Sequence, residues 1–295
     1  MKISQMKRND YFWAYVMIAP TSLGLLIFYF WPLLQSIYFS MTKWGSFGKY
    51  KWVGMENFTR VIEDKELWLA FKNTLVYTAI SVPITITLSI IVAVLLNQKI
   101  RGIGVYRTLF YLPVVTMAAA IAMVWRWIFN ADFGVLNYIL SLFSIGRIQW
   151  LTNPDLALYC VIAVAIWCAI GSNMILFLSG LQGISSNYYE AASIDGASTL
   201  SKFFHITLPM LTPTIFFVLV NSLIGAFQVF DLIFMMLPQS AALESSQTVV
   251  YLFYKQAFMF GDKGYASAIA MILFVLILLI TIVQFRLQKK WVHYE

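Results

Sequence analysis

The side chains able to do covalent or metal chemistry are few in this sequence, and their spacing does not gather them. His205 and His293 are the only histidines, both near the ends of polar segments and without the paired spacing of a metal site. Cys160 and Cys168 lie eight residues apart in one apolar run. That is about 12 Å along a helix, too far to bridge, and both read as small packing residues. No nucleophile constellation appears, and no G-x-x-x-x-G-K-[ST] phosphate loop that would hold ATP on a P-loop. Three carboxylates stand out instead. Glu190 and Asp195 share a polar, patterned segment, whereas Asp231 lies inside an apolar run. A carboxylate within a membrane span costs roughly 2.5–3.5 kcal/mol, so Asp231 needs either the water of a wet cavity or a hydrogen bond to a neighbouring helix or subunit. This is the chemistry of binding and docking, not of bond-making.

The elements that must position these groups are read from composition and hydropathy. Of the 295 residues 61% are hydrophobic and only 11% charged, too few charges to cover a water-facing surface. Six apolar runs reach the roughly 20 residues that a spanning helix requires: Tyr11 to Phe39, Phe71 to Leu96, Leu109 to Phe129, Leu156 to Leu181, Leu211 to Leu237 and Ala266 to Leu287. The expected fold is therefore all-α, a polytopic membrane helical bundle of about six transmembrane helices, treated as a single domain over 1–295. The first run follows Lys2, Lys7 and Arg8 like a signal peptide, but it is long and lacks a small-x-small cleavage site, so it reads as an uncleaved span. Pro20, Pro32, Pro83 and Pro113 fall in or near spans, where packed neighbours satisfy the carbonyls they free. Residues 40–70 form an extracytoplasmic loop of alternating aromatics and charges.

A net charge of +7 does not point to nucleic acid, because Lys and Arg cluster beside apolar runs, where anionic membrane lipid attracts them. Counting them by side ties at ten and ten. Density breaks the tie: Lys99, Arg101, Arg107, Arg286, Lys289 and Lys290 crowd against span ends, whereas Lys43, Lys49, Lys51, Arg60, Lys65 and Lys72 are spread out. Both termini are then cytoplasmic in a multi-pass inner-membrane protein. Arg126, between Trp125 and Trp127, suits an interfacial belt at an outer end.

The polar segment between the fourth and fifth runs, 184–209, is too polar to span and too patterned to be slack. Ser185 or Ser186 suits an N-cap, Glu190 puts a carboxylate near the positive helix end, and Ala191, Ala192 and Ala197 favour helix without bulk. Gly196 supplies a sharp turn, and Pro209 opens the next span where its missing N–H matters little. The segment reads as helix, turn, helix with a small-residue surface suited to a partner's groove.

The spacing Glu190-Ala191-Ala192, three residues, Gly196, nine residues, Ile206, one residue, Leu208-Pro209 resembles the EAA loop of binding-protein-dependent ABC importer permeases. The likeness extends through Ala19-Pro20 to Pro32, Phe230-Asp231, and Gly264-Tyr265-Ala266-Ser267-Ala268 to Gln284-Phe285-Arg286, and is similar to the MalF-type carbohydrate-uptake group. Pro238-Gln239-Ser240 departs from it where the group often has a Gly-Gly-Pro turn. The resemblance implies a type I importer permease fold and a non-catalytic subunit carrying no cofactor, with ATP and Mg on a partner ATPase dimer. It also implies a second EAA-loop permease, an extracytoplasmic substrate-binding protein and a carbohydrate substrate. Tyr189, Glu190, Ala191, Ala192, Asp195, Gly196 and Ala197 would then form the coupling helix. Phe227 and Gln228, with Asp231, would line the sugar path, as would Trp167, Gly171, Asn173 and Met174 in the fourth span, residue types that packing also explains. An ion-coupled secondary transporter is the alternative, but it would place matching carboxylates or broken helices in two halves, and Asp231 stands alone.

Overall fold

The computed structural model describes residues 2–45, 49–98, 101–237 and 241–292. Lys99, His293 and the Pro238-Gln239-Ser240 turn lie outside the described residues. Two compact units emerge, one from the chain up to Asp64 with Phe253–Ile272, the other from Lys65–Leu252 with Leu273–Glu295.

In the first unit a long helix runs through α1 (Lys2–Leu25), a π turn (Leu26–Phe30) and α2 (Trp31–Ser40). The π turn has a local cause. Pro32 has no N–H to donate, and one residue earlier Trp31 donates its N–H to Leu26 O, one residue further back than an α-helix reaches. The expected loop then folds as an antiparallel hairpin, β1 (Thr42–Trp44) with β2 (Tyr50–Trp52), followed by α3 (Glu56–Glu63). Trp44 stacks on Tyr50 with ring centroids 5.3 Å apart. The buried Asn57 amide donates to Ser40 O and Thr42 O, each at 2.8 Å, fixing the end of α2 to the hairpin. Within the same unit Arg60 pairs with Asp262 at 2.6 Å and lies 3.8 Å over the Tyr265 ring, whose hydroxyl donates to Asp64. The final helix α16 (Lys263–Gln288) starts here, with Gly264 backed so closely against Thr42 O that a Cβ would sit 1.8 Å from it.

The second unit is built on α4 (Lys65–Leu96) and α8 (Ala157–Gly183), whose mutual packing is the most extensive in the chain. Ala70, Ala93, Ala157, Val161 and Val164 are almost wholly buried, small residues that let the two backbones approach, and the larger Met174 and Phe177 are fully buried beside them. α5 (Ile103–Val115) and α6 (Ala118–Ile128) form one apolar stretch bent by 100°. Pro113, the β-branched Val114 and Val115, and two extended residues, Thr116 and Met117, make the break. α7 (Val135–Ser141) follows, held by Asn137, whose amide donates to Ala131 O and Ile148 O and accepts from Ile148 N and Trp150 Nε1. After α8 come α9 (Ser186–Ile194), α10 (Thr199–Lys202), a π turn (Phe203–Thr207), α11 (Leu208–Met210) and α12 (Thr212–Phe227). Here too a proline follows a π turn, with Leu208 N donating to Phe203 O just before Pro209. A 64° bend separates 199–210 from α12. α13 (Asp231–Met236), α14 (Ala241–Ser246), α15 (Val249–Tyr254) and a further π turn (Lys255–Met259) follow before α16.

Among the described residues four helices are long and apolar enough to cross a membrane, and up to six segments if each bent pair counts as one. The all-α expectation and the count of about six hold, with one short hairpin added. The fifth run does differ: α12 stops at Phe227, Gln228 caps it, and Asp231 opens the separate α13. Asp231 is therefore an exposed first-turn residue of α13, its carboxylate at a positive helix end, and does not sit inside a continuous helix.

Gly171 illustrates how tight the packing is. A Cβ there would lie 2.2 Å from Phe110 O on α5, whereas at Gly183 it would meet nothing within 4 Å. Gly171→Ala is expected to lower the thermal midpoint of the detergent-purified protein, at a cost of about 1–3 kcal/mol, with Gly183→Ala close to unchanged; equal midpoints would contradict a packing role for Gly171.

Candidate functional site

Two features of the second unit are built for contact with something else: the helix–turn–helix of 184–209 and a cavity between spans.

The helix–turn–helix is more defined than its sequence requires. Ser185 caps α9 by accepting from Asn187 N, and Ser198 caps α10 by accepting from Ser201 N. Between them Gly196 takes φ +74°, its N–H bonds Ser193 O at 3.2 Å, and Ala197 N bonds Ala192 O at 2.9 Å. That pair of bonds is a complete Schellman C-cap, and it needs the left-handed residue at Gly196. Any other residue there pays roughly 1–2 kcal/mol. Glu190, Ala191, Asp195 and Gly196 are exposed, whereas Tyr189, Ala192 and Ala197 are half-buried. The seven residues singled out from the sequence thus lie in one short helix and its cap. Sequence reasoning missed the apolar residues beside them: Ile194 is 88% and Leu200 68% exposed, with Tyr188 and Phe204 also largely open. These apolar side chains stand open on an otherwise polar segment.

The cavity, of about 270 Å³, is lined by Tyr77, Ser81, Val82 and Thr85 of α4, Ala165, Ala169 and Asn173 of α8, and Asn221, Ser222, Gly225 and Ala226 of α12. Its polar groups on α4 belong to a longer stripe at four-residue intervals, Asn73, Tyr77, Ser81, Thr85 and Ser89, all buried. The ends of the stripe serve the fold. Asn73 donates to Ser245 O and Gln247 O, and Ser89 donates to Ile170 O. The middle three, with Asn173 and Ser222, have no hydrogen-bond partner among the described residues and face the cavity. Asn221 donates only to Phe217 O of its own helix.

Of the residues proposed for a pathway, the structure puts only Asn173 on this cavity. Trp167 meets Trp125 edge-on at 5.6 Å, in an aromatic group continuing to Phe129 and Trp150. Gly171 is the notch for α5, Met174 is fully buried core, and Phe227 is buried at the end of α12. Gln228 and Asp231 are exposed around the break between α12 and α13. The signal that would have found the lining was present: hydroxyl-bearing residues recurring every fourth position in an apolar run.

Apolar helices around a cavity lined by hydroxyls and amides, with a capped helix–turn–helix between two of them, define a multi-pass membrane permease. Residues 71–293 match the family of binding-protein-dependent transport system inner membrane components, and the chain belongs to that family. It is 38% identical, over its whole length and 96% of the relative's, to the probable ABC transporter permease protein YesP of Bacillus subtilis. It is 34% identical to the sn-glycerol-3-phosphate transport system permease protein UgpA of Agrobacterium fabrum, over 95% of this chain and 96% of that one. With the trehalose/maltose transport system permease protein MalF of Thermococcus litoralis it shares 31% identity over 97% of each. Its fold matches a chain in the crystal structure of a bacterial alginate ABC transporter in complex with an alginate pentasaccharide-bound periplasmic protein, with a TM-score of 0.87 over 98% of each chain at 23% identity. The resemblance drawn from the EAA-type spacing and the expected permease fold therefore hold, and the protein is a multi-pass inner-membrane component of a binding-protein-dependent transport system.

Proposed function

We propose that this chain forms half of the translocation pathway of an ATP-driven carbohydrate importer and takes its drive from a separate ATPase through α9 and α10. The observation that carries the reading is the capped helix–turn–helix that offers Tyr188, Ile194 and Leu200 outward beside Glu190, Ala191, Ala192 and Asp195. ATP and Mg belong to the partner ATPase dimer; this chain is a non-catalytic subunit. A second EAA-loop permease completes the pathway, and an extracytoplasmic binding protein delivers the substrate. With α9 and α10 meeting a cytoplasmic ATPase, both termini are cytoplasmic.

The carbohydrate class is supported by names and by chemistry. Relatives are named for glycerol phosphate, trehalose/maltose and arabinooligosaccharide transport. The cavity lining offers a phenol, hydroxyls and amides and no charged side chain, which suits exchange of hydrogen bonds with a polyhydroxyl guest. Closure of the ATPase dimer would press on α9 and α10 and switch the bundle between inward-facing and outward-facing states, a rigid-body two-state change.

Gly196→Pro cannot reach φ +74° and loses the N–H that bonds Ser193 O. It is expected to abolish substrate-stimulated ATP hydrolysis by the assembled complex while membrane insertion is retained, and normal uptake would sink the docking reading. Tyr77→Phe and Asn221→Leu are each expected to raise the apparent KM for uptake about two- to tenfold, the loss of one hydrogen bond of about 0.5–1.5 kcal/mol. Gln228→Ala should change it less than either; the reverse order would move the path away from the cavity.

A further inference from the structure

α9 has nine residues and α10 four, and helices this short do not hold themselves in water. Beyond their caps, a closed circuit of side-chain hydrogen bonds ties them together. Tyr189 Oη lies 3.0 Å from Thr207 Oγ1, and Thr207 Oγ1 donates to Lys202 O at 3.4 Å. Lys202 Nζ donates to Ser193 Oγ at 2.6 Å, and Ser193 Oγ donates to Tyr189 O at 2.6 Å. The proton directions follow. Because Thr207 spends its hydrogen on Lys202 O, Tyr189 is the donor to Thr207, and each of the four side chains then donates once around the ring.

The ring joins α9, through Tyr189 and Ser193, to the end of α10, through Lys202, and to the π turn beneath α12, through Thr207. Thr207 is buried and is followed directly by α11, Pro209 and α12. The other route from α9 to α12 is the backbone through Gly196, which its two cap bonds hold but whose missing side chain adds no contact to stiffen it. We infer that Tyr189, Ser193, Lys202 and Thr207 are positioning residues that make α9, α10 and the base of α12 one rigid lever, so that force applied to α9 moves the span instead of flexing the turn. This rests on the proposed docking of α9 and α10 on an ATPase, and it assigns these hydroxyls and the lysine to transmission instead of to the dock.

The test uses the full complex, with both permeases, the ATPase and the binding protein, in proteoliposomes. Thr207→Val keeps the shape of the side chain and removes both of its bonds, Lys202→Met removes the link to Ser193, and Thr207→Ser keeps the ring. The first two are expected to retain ATPase association and basal hydrolysis but to lose about five- to tenfold in substrate taken up per ATP hydrolysed, with Thr207→Ser at the parental ratio. An unchanged ratio in Thr207→Val and Lys202→Met overturns the inference. So does loss of ATPase association in both, which would make the ring part of the dock itself. Ile194→Asp, outside the ring, separates the two readings: retained ATPase association in that variant defeats the docking reading, whatever the ring variants do.

Discussion

In hydrocarbon there is no water to bond a stray amide or hydroxyl, and this single constraint organises most of what is seen. Where the chain must leave the α-helical pattern, a compensating bond is found close by. Ahead of Pro32 and Pro209 the helix widens to a π turn, and Trp31 and Leu208 reach carbonyls five residues back. Several polar side chains obey the same rule, although the buried Thr78 and Ser246 hydroxyls and the Gln284 amide find no partner among the described residues. Asn73 clasps two carbonyls beside α14, Thr74 accepts from Val249 N, and Ser89 reaches the α8 backbone. Against that background the cavity gathers a phenol, hydroxyls and the Asn173 amide that have no partner of their own among the described residues. Polar groups kept in an apolar bundle without partners of their own are groups held for a guest or for water.

The same constraint links the two features. α8 carries Asn173 on the cavity wall and ends at Gly183, two residues before the cap of α9. α12 carries Asn221 and Ser222 and begins just after α11. The helix–turn–helix is thus the direct covalent bridge between two of the three helices that line the cavity. A displacement of α9 and α10 has a short path to the lining. Close packing makes that path stiff, with Gly180 set so near Thr214 of α12 that a Cβ would lie 2.5 Å from its hydroxyl.

Much of this was legible in the sequence, and what was not has physical causes. The spans followed from run length, and the turn at Gly196 followed from the one residue type that takes positive φ cheaply. The break after Phe227 was not legible, because Gln228-Val229-Phe230 contains no proline or glycine and hydropathy stays high on both sides. Asp231 was therefore read as lying within one continuous apolar run, whereas it opens a new helix. Trp167, Gly171 and Met174 were picked for residue type, yet type does not tell which face of a helix meets a neighbour. The four-residue recurrence from Asn73 to Ser89 did carry that information and was the better guide to the cavity. The ring of Tyr189, Ser193, Lys202 and Thr207 depends on the turn bringing two helices together, which no local pattern encodes.

The account stands on the claim that α9 and its cap face the cytoplasm and are covered by an ATPase. Ala191 is exposed on α9, and a cysteine-free background for labelling is made by changing the two native cysteines, Cys160 and Cys168, to serine and checking that uptake is retained. The direct measurement is labelling of Ala191→Cys, in that cysteine-free background, by a membrane-impermeant maleimide in vesicles of both orientations, with and without the ATPase subunit. Labelling confined to inside-out vesicles and suppressed by the bound ATPase is the predicted result; labelling in right-side-out vesicles, or labelling that the ATPase does not suppress, would contradict it.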